Sequence, residues 1–226
     1  VAIVQRDRER VRLAPVGEAG PVATALQRRH LGRAPVVAPS APEQDIVLPE
    51  QLPVIGLDGF VLYPFMISPL LVAQEGDKKL VDDVLRADRL VGVFLKKASP
   101  GPNTFENLHT VGTLAIILKM LRMPDGTIRL LVHGIERIRI LEPLSHEPYL
   151  KARVETMPDI ASQSKTLRAM VRSVQGLLGK IVSMGHLPED VGAAVMELTD
   201  PGKLCDVAIS QLSVPPAERQ EILAMS

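Results

Sequence analysis

Tryptophan is absent from this chain, and only two tyrosines and four phenylalanines occur among its 226 residues. So few rings leave neither a base-stacking platform nor an aromatic ligand cage. The single cysteine, Cys205, excludes an internal disulfide and any cysteine-based metal cluster, and it suits a reducing compartment. Its place beside Leu204 in an amphipathic stretch predicts a buried structural thiol. Neither sign of charge is in excess: 26 Lys and Arg balance 26 Asp and Glu, so charge gives no argument for a nucleic-acid partner or a membrane surface. Long apolar runs are lacking too, and those present, such as residues 114–118, are strand-sized and far short of a bilayer span.

The signatures of chemistry are also missing. No Gly-x-x-x-x-Gly-Lys-Ser/Thr and no strand-linked Gly-x-Gly-x-x-Gly is present, so no nucleotide phosphate is expected to bind. His30, His109, His133, His146 and His186 are scattered without metal-binding spacing. No serine sits in a Gly-x-Ser-x-Gly elbow. The paired carboxylates Asp82-Asp83 and Glu189-Asp190 fall on helix surfaces or first turns, where solvation or the helix dipole accounts for them. His133 reads as an exposed strand residue.

What the chain does have is alternation. Residues 111–122 are rich in β-branched and aliphatic side chains, and residues 127–141 place Ile128, Leu130 and Val132 on one face against Arg129, Leu131 and His133 on the other. Between them Met123-Pro124-Asp125-Gly126 carries turn chemistry: Pro124 presets φ, Asp125 caps its own backbone, and Gly126 accepts positive φ. Gly134 interrupts the alternation before Ile138 and Ile140 resume it against Arg137 and Arg139, which predicts a bulge near Gly134-Ile135.

Residues 1–45 are rich in Ala, Pro, Val and Arg without sustained periodicity, and read as an irregular or flexible arm. Asp7, Glu9 and repeated prolines argue against a cleaved organellar presequence. If ordered, the group Val36-Val37-Ala38 could pair with a sheet or another subunit. Residues 46–158 form the β-rich lobe, with strands expected at 52–57, 68–73, 90–95 and 149–155, a short helix at 78–86 capped by Asp77, and a loop at 96–108. Residues 159–226 switch to helical period: Leu167, Met170, Val171, Val174, Leu177, Leu178, Ile181 and Val182 form a stripe expected to pack on other helices, and Gly185 ends it. Further helices open at Pro188, at Asp200-Pro201 and at Pro215-Pro216, and the last is expected to run on at the carboxyl terminus. The fold class is α+β, a β lobe followed by a helical bundle.

With no catalytic constellation, apolar surface is the remaining candidate for function. Tyr63, Phe65, Met66 and Ile67 crowd around Pro64, and Met123 sits at the hairpin tip. They are the candidate binding residues, since exposed apolar and Met-rich patches adapt to varied partners. The other reading has Phe65 and Ile67 closing the end of a barrel, with Met123 incidental.

The order of segments resembles a known family. Leu52-Pro53-Val54-Ile55-Gly56-Leu57, Val61-Leu62-Tyr63-Pro64 and Ser68-Pro69-Leu70 resemble the opening of the amino-terminal, substrate-binding domain of Lon, the ATP-dependent protease. Val111-Gly112-Thr113-Leu114-Ala115, Pro124-Asp125-Gly126-Thr127, and Val132-His133-Gly134-Ile135-Glu136-Arg137 are similar to later strands of that domain, and Asp200-Pro201-Gly202-Lys203-Leu204-Cys205-Asp206 to its helices. The resemblance covers residues 48–226 and departs where Phe65 replaces the family's usual glycine, enlarging the expected apolar patch. It implies a PUA-like β pseudobarrel followed by helices, and recognition of unfolded or degron-bearing proteins without catalysis by these residues. It also implies a Ser-Lys peptidase and an ATPase using ATP and Mg beyond Ser226, with no cofactor in this stretch. The whole protein would be a homohexamer and the domain alone a monomer or weak dimer, cytoplasmic or else in the mitochondrial matrix, with no nucleic acid or membrane partner. Two rivals remain: a free-standing adaptor of the same fold, and a hydrolase using His133 or His146.

Overall fold

The computed structural model describes residues 36–37, 48–158, 164–185 and 189–225. Seven strands are β1 (Val36–Val37), β2 (Leu52–Leu57), β3 (Met66–Val72), β4 (Leu90–Leu95), β5 (Val111–Arg122), β6 (Ile128–Ser145) and β7 (Lys151–Thr156). The helices among the described residues are α1 (Glu75–Arg86), α2 (Lys165–Ser183), α3 (Glu189–Glu197), α4 (Pro201–Gln211) and α5 (Pro216–Ala224). The mixed α+β class expected from sequence is the one observed.

The β5–β6 hairpin organises the sheet. At its turn the Asp125 carboxylate accepts the Thr127 N–H at 2.9 Å and Gly126 takes φ +79°, the backbone that L side chains resist. β6 runs 18 residues, longer than the alternation suggested, because β7 pairs with its far half. Ala115 pairs with Gly134 but Leu114 with Glu136, so Ile135 is the extra residue of a bulge at the expected place. A side chain at Gly134 would put its Cβ 2.3 Å from the Tyr63 carbonyl oxygen, which explains the glycine. Strand order is β1-β3-β6-β5-β4-β2-β7, and a further β6–β7 pairing closes the last five into a ring. β2 and β4 are parallel, joined through β3 and α1; β1 adds antiparallel to the outer edge of β3, opposite Ile67 and Met66.

Two apolar layers follow from the alternation. One, on the α1 side, holds Val91, Val93, Ile117, Leu130 and Val132 against Leu80, Val81 and Val84 of α1, with Tyr63, Ile209 and Leu223. The other draws Leu52, Val54, Phe94, Leu114, Ile138 and Ala152 from the five strands of the ring. Leu178, Val195, Leu204 and Val207 join α2, α3 and α4 in a third cluster.

Several expectations are corrected. α1 starts at Glu75 behind Gln74, and Asp77 lies in its first turn, where its carboxylate accepts from Asn103 Nδ2 at 2.8 Å instead of capping the helix. Asp200 does cap α4, accepting the Lys203 N–H at 2.9 Å. Cys205 is exposed, because helical phase turns it away from Leu204 and Asp206. In the stripe of α2 only Leu178 is fully buried, and Met170 and Leu177 face solvent. The helix at 216 closes at Ala224, with Met225 extended. The residue expected to open α3, Pro188, lies outside the described residues. The helices that follow the sheet also pack on it: Arg137 of β6 forms a buried ion pair with Asp206 of α4, and its Nε donates to the Leu223 carbonyl at 3.2 Å. Gln220 Nε2 donates to the Val111 carbonyl at 2.9 Å.

Candidate functional site

The five apolar residues singled out from sequence part company in the structure. Tyr63 and Met66 belong to the core, at 0% and 2% exposure. The Tyr63 hydroxyl donates to the Arg219 carbonyl at 2.7 Å, and burial pushes the phenol above its ordinary value, which keeps it a donor. The expectation that these two side chains form open surface is therefore corrected. Their register is the cause, since Met66 begins β3 on the face that meets α1. Phe65, half-buried, has φ +62°, is held by its N–H donating to the Gly134 carbonyl at 2.8 Å, and carries Lys203 Nζ 4.7 Å from its ring centroid.

Ile67 and Met123 fare differently. Side chains of residues paired across antiparallel strands share a face. On the face of β3, β6 and β5 opposite α1, the pairing sets out three rungs: Ile67, His133, Ile116; Pro69, Leu131, Lys119; Leu71, Arg129, Leu121. Met123 lies two residues beyond Leu121 and so continues the same face, its N–H donating to the Thr127 carbonyl at 2.9 Å. Leu118 sits in the irregularity between the register positions of Ile117 and Lys119. This is an open apolar shelf: Leu71 is 45% exposed, Leu118 43% and Leu121 54%. Its inner end is continuous with the ring, because Ile116 and Ile135 pack against the second core. From Ile116 to Met123 the strand spacing makes it roughly 20 Å long, the reach of about six extended residues. Ile67 and Met123 thus mark its two ends.

Pro69, Leu71, Leu118, Leu121 and Leu131 were not picked out from sequence. The signal was there: β3 and β5 carry apolar residues at both parities, and only one parity meets the core. Which one is covered depends on α1, which no strand pattern reveals.

Burial lowers the His133 imidazole below its ordinary value, so it is neutral near neutral pH; His133 is half-buried where an exposed position was expected. The charges on the shelf are then Arg129 and Lys119, both positive. Among the described residues no group of three or more His, Cys, Asp or Glu could hold a metal ion, and no helix is long and apolar enough to cross a membrane. His146 contacts the Phe105 ring edge-on at 5.1 Å.

Comparison with known proteins places this architecture. The Lon protease of Dictyoglomus thermophilum is 36% identical over 181 residues, covering 80% of this chain and 23% of that protein. That of Trichlorobacter lovleyi is 33% identical over 187 residues, covering 80% and 22%. The chain thus spans about a quarter of the length of these relatives. The solved N-terminal domain of a Mycobacterium avium complex Lon protease shares the fold, with a TM-score of 0.61 at 19% identity, over 76% of this chain and 89% of that one. Residues 51–226 match the family described as the ATP-dependent protease La (LON) substrate-binding domain, and the chain belongs to that family.

Proposed function

We propose that this chain is the substrate-recognition domain of a Lon-type ATP-dependent protease, and that it captures unfolded proteins by laying their apolar segments along the β3–β6–β5 shelf. The observation that carries the reading is the uncovered apolar layer itself, with Leu71, Leu118 and Leu121 about half exposed. Covering the exposed part of each leucine gains on the order of 1 kcal/mol, enough in sum for the weak, exchangeable capture that handing a substrate onward requires. Ile67 and Met123 belong to this surface, whereas the Phe65 ring lies against Lys203 of α4. Unfolding, cleavage, and the ATP and Mg they need are assigned to other modules of the whole protein, a cytoplasmic homohexamer. The chemistry of this domain is adhesion alone.

The test is binding of a reduced, alkylated globular protein to the chain, read by fluorescence anisotropy. Leu71→Ser combined with Leu121→Ser is expected to weaken it about tenfold while leaving the melting temperature in place. Unchanged binding in that variant would move the site elsewhere.

A further inference from the structure

The sheet carries five strand arginines, and four have a carboxylate partner. Arg122 pairs with Asp82, Arg137 with Asp206, Arg139 with Glu155 at 3.5 Å, and Arg153 with Glu142 at 3.0 Å. The fifth, Arg129, sits on the shelf between Leu71 and Leu121, with no carboxylate within ion-pair distance among the described residues. Lys119, in the next rung beside Leu131, has none either. No Asp or Glu occurs in any of the three rungs. Elsewhere the strand arginines are neutralised from within the fold, and Lys151 of β7 lies over the Tyr149 ring at 5.3 Å. Here Arg129 and Lys119 stand without a carboxylate partner among the described residues, beside Leu71 and Leu121, which are 45% and 54% exposed.

We infer that the shelf discriminates by charge: its occupant is an extended apolar segment bearing carboxylates, and segments bearing lysine or arginine are disfavoured. The inference rests on the shelf being the capture surface. Leucines of the segment lie along Leu71, Leu131 and Leu121, and its Asp or Glu side chains reach Arg129 and Lys119 from the solvent side. Each pair is partly exposed, so the preference is modest and sensitive to salt. It sorts segments of equal hydrophobicity, which the leucines alone cannot do.

The probes are three labelled peptides of alternating leucine and serine, one neutral, one with two serines changed to aspartate, and one with two changed to lysine. Anisotropy titration of the whole 226-residue chain is expected to rank aspartate above neutral above lysine, with about tenfold between the extremes at low ionic strength and less as salt rises. Arg129→Glu with Lys119→Glu is expected to invert the order, and Arg129→Gln with Lys119→Gln to abolish it. Equal binding of the three peptides, or an order that persists in the reversed variant, overturns the inference while the capture surface stands. Neutral-peptide binding that is absent, or indifferent to Leu71→Ser with Leu121→Ser, overturns both.

Discussion

Arg137 shows how a covering helix changes a side chain's role. Alternation sets it with Arg139 opposite Ile138 and Ile140, and Arg139 stays half exposed, but α4 and α5 cover Arg137, which ends 6% exposed against Asp206 at 0%. A glycine in a strand told of the bulge. Nothing local told that a charge 69 positions away would meet the arginine, because long-range pairing leaves no periodic trace. Removing one partner strands a buried charge, so Arg137→Met is expected to lower the unfolding free energy in urea by about 3–5 kcal/mol. Adding Asp206→Leu to that variant should recover most of the loss, since an apolar pair of similar volume needs no desolvation. A single variant as stable as the parent would show that the pair contributes nothing.

At the scale of elements, the hairpin was legible because its information is local: turn residues, β-branched arms and a glycine at the bulge. Helix α4 was equally legible, from Asp200 and Pro201 at its start. Helix α1 was not, because Asp77 has two possible uses, and the loop before Phe105 brings Asn103 to its carboxylate, 2.8 Å away. The shelf was half legible, its ends Ile67 and Met123 named but its middle hidden by strands that are apolar at both parities. Burial, more than any neighbouring charge, raises the Asp77 carboxyl above its ordinary value. A raised folded-state value means stability that is fully present below the unfolded value of about 3.9 and is lost as pH rises through the folded value. Asp77→Asn keeps an acceptor for Asn103 and removes that loss. The variant should therefore have the higher urea midpoint at neutral pH, with the advantage shrinking as pH falls toward 4. A midpoint below that of the parent at pH 7 would mean the charge is needed, with Lys96 as its partner.

For the molecule as a whole, the three clusters predict unequal stability. The sheet, α4 and α5 share one core, tied by Ile209, Leu223, the Arg137 contacts and the Tyr63 and Gln220 hydrogen bonds. Helix α2 holds on by less: across 19 residues only Leu178 is fully buried, and Gln175 secures the neighbouring helix end by donating to the Val195 and Leu198 carbonyls at 3.2 and 2.9 Å. Few buried contacts mean a low opening free energy, so α2 amides should exchange hydrogen well before those of β5, β6 and α4. Leu223→Ala separates the two regimes. It removes a side chain 1% exposed from the shared core and should lower protection of β5, α4 and α5 amides together by about 2–5 kcal/mol. The α2 amides, which open without global unfolding, should keep theirs. If protection fell in α5 alone, the terminal helix would be a separate unit, and the buried contacts from Leu223 and Gln220 to the strands would not couple the helices to the sheet that carries the shelf.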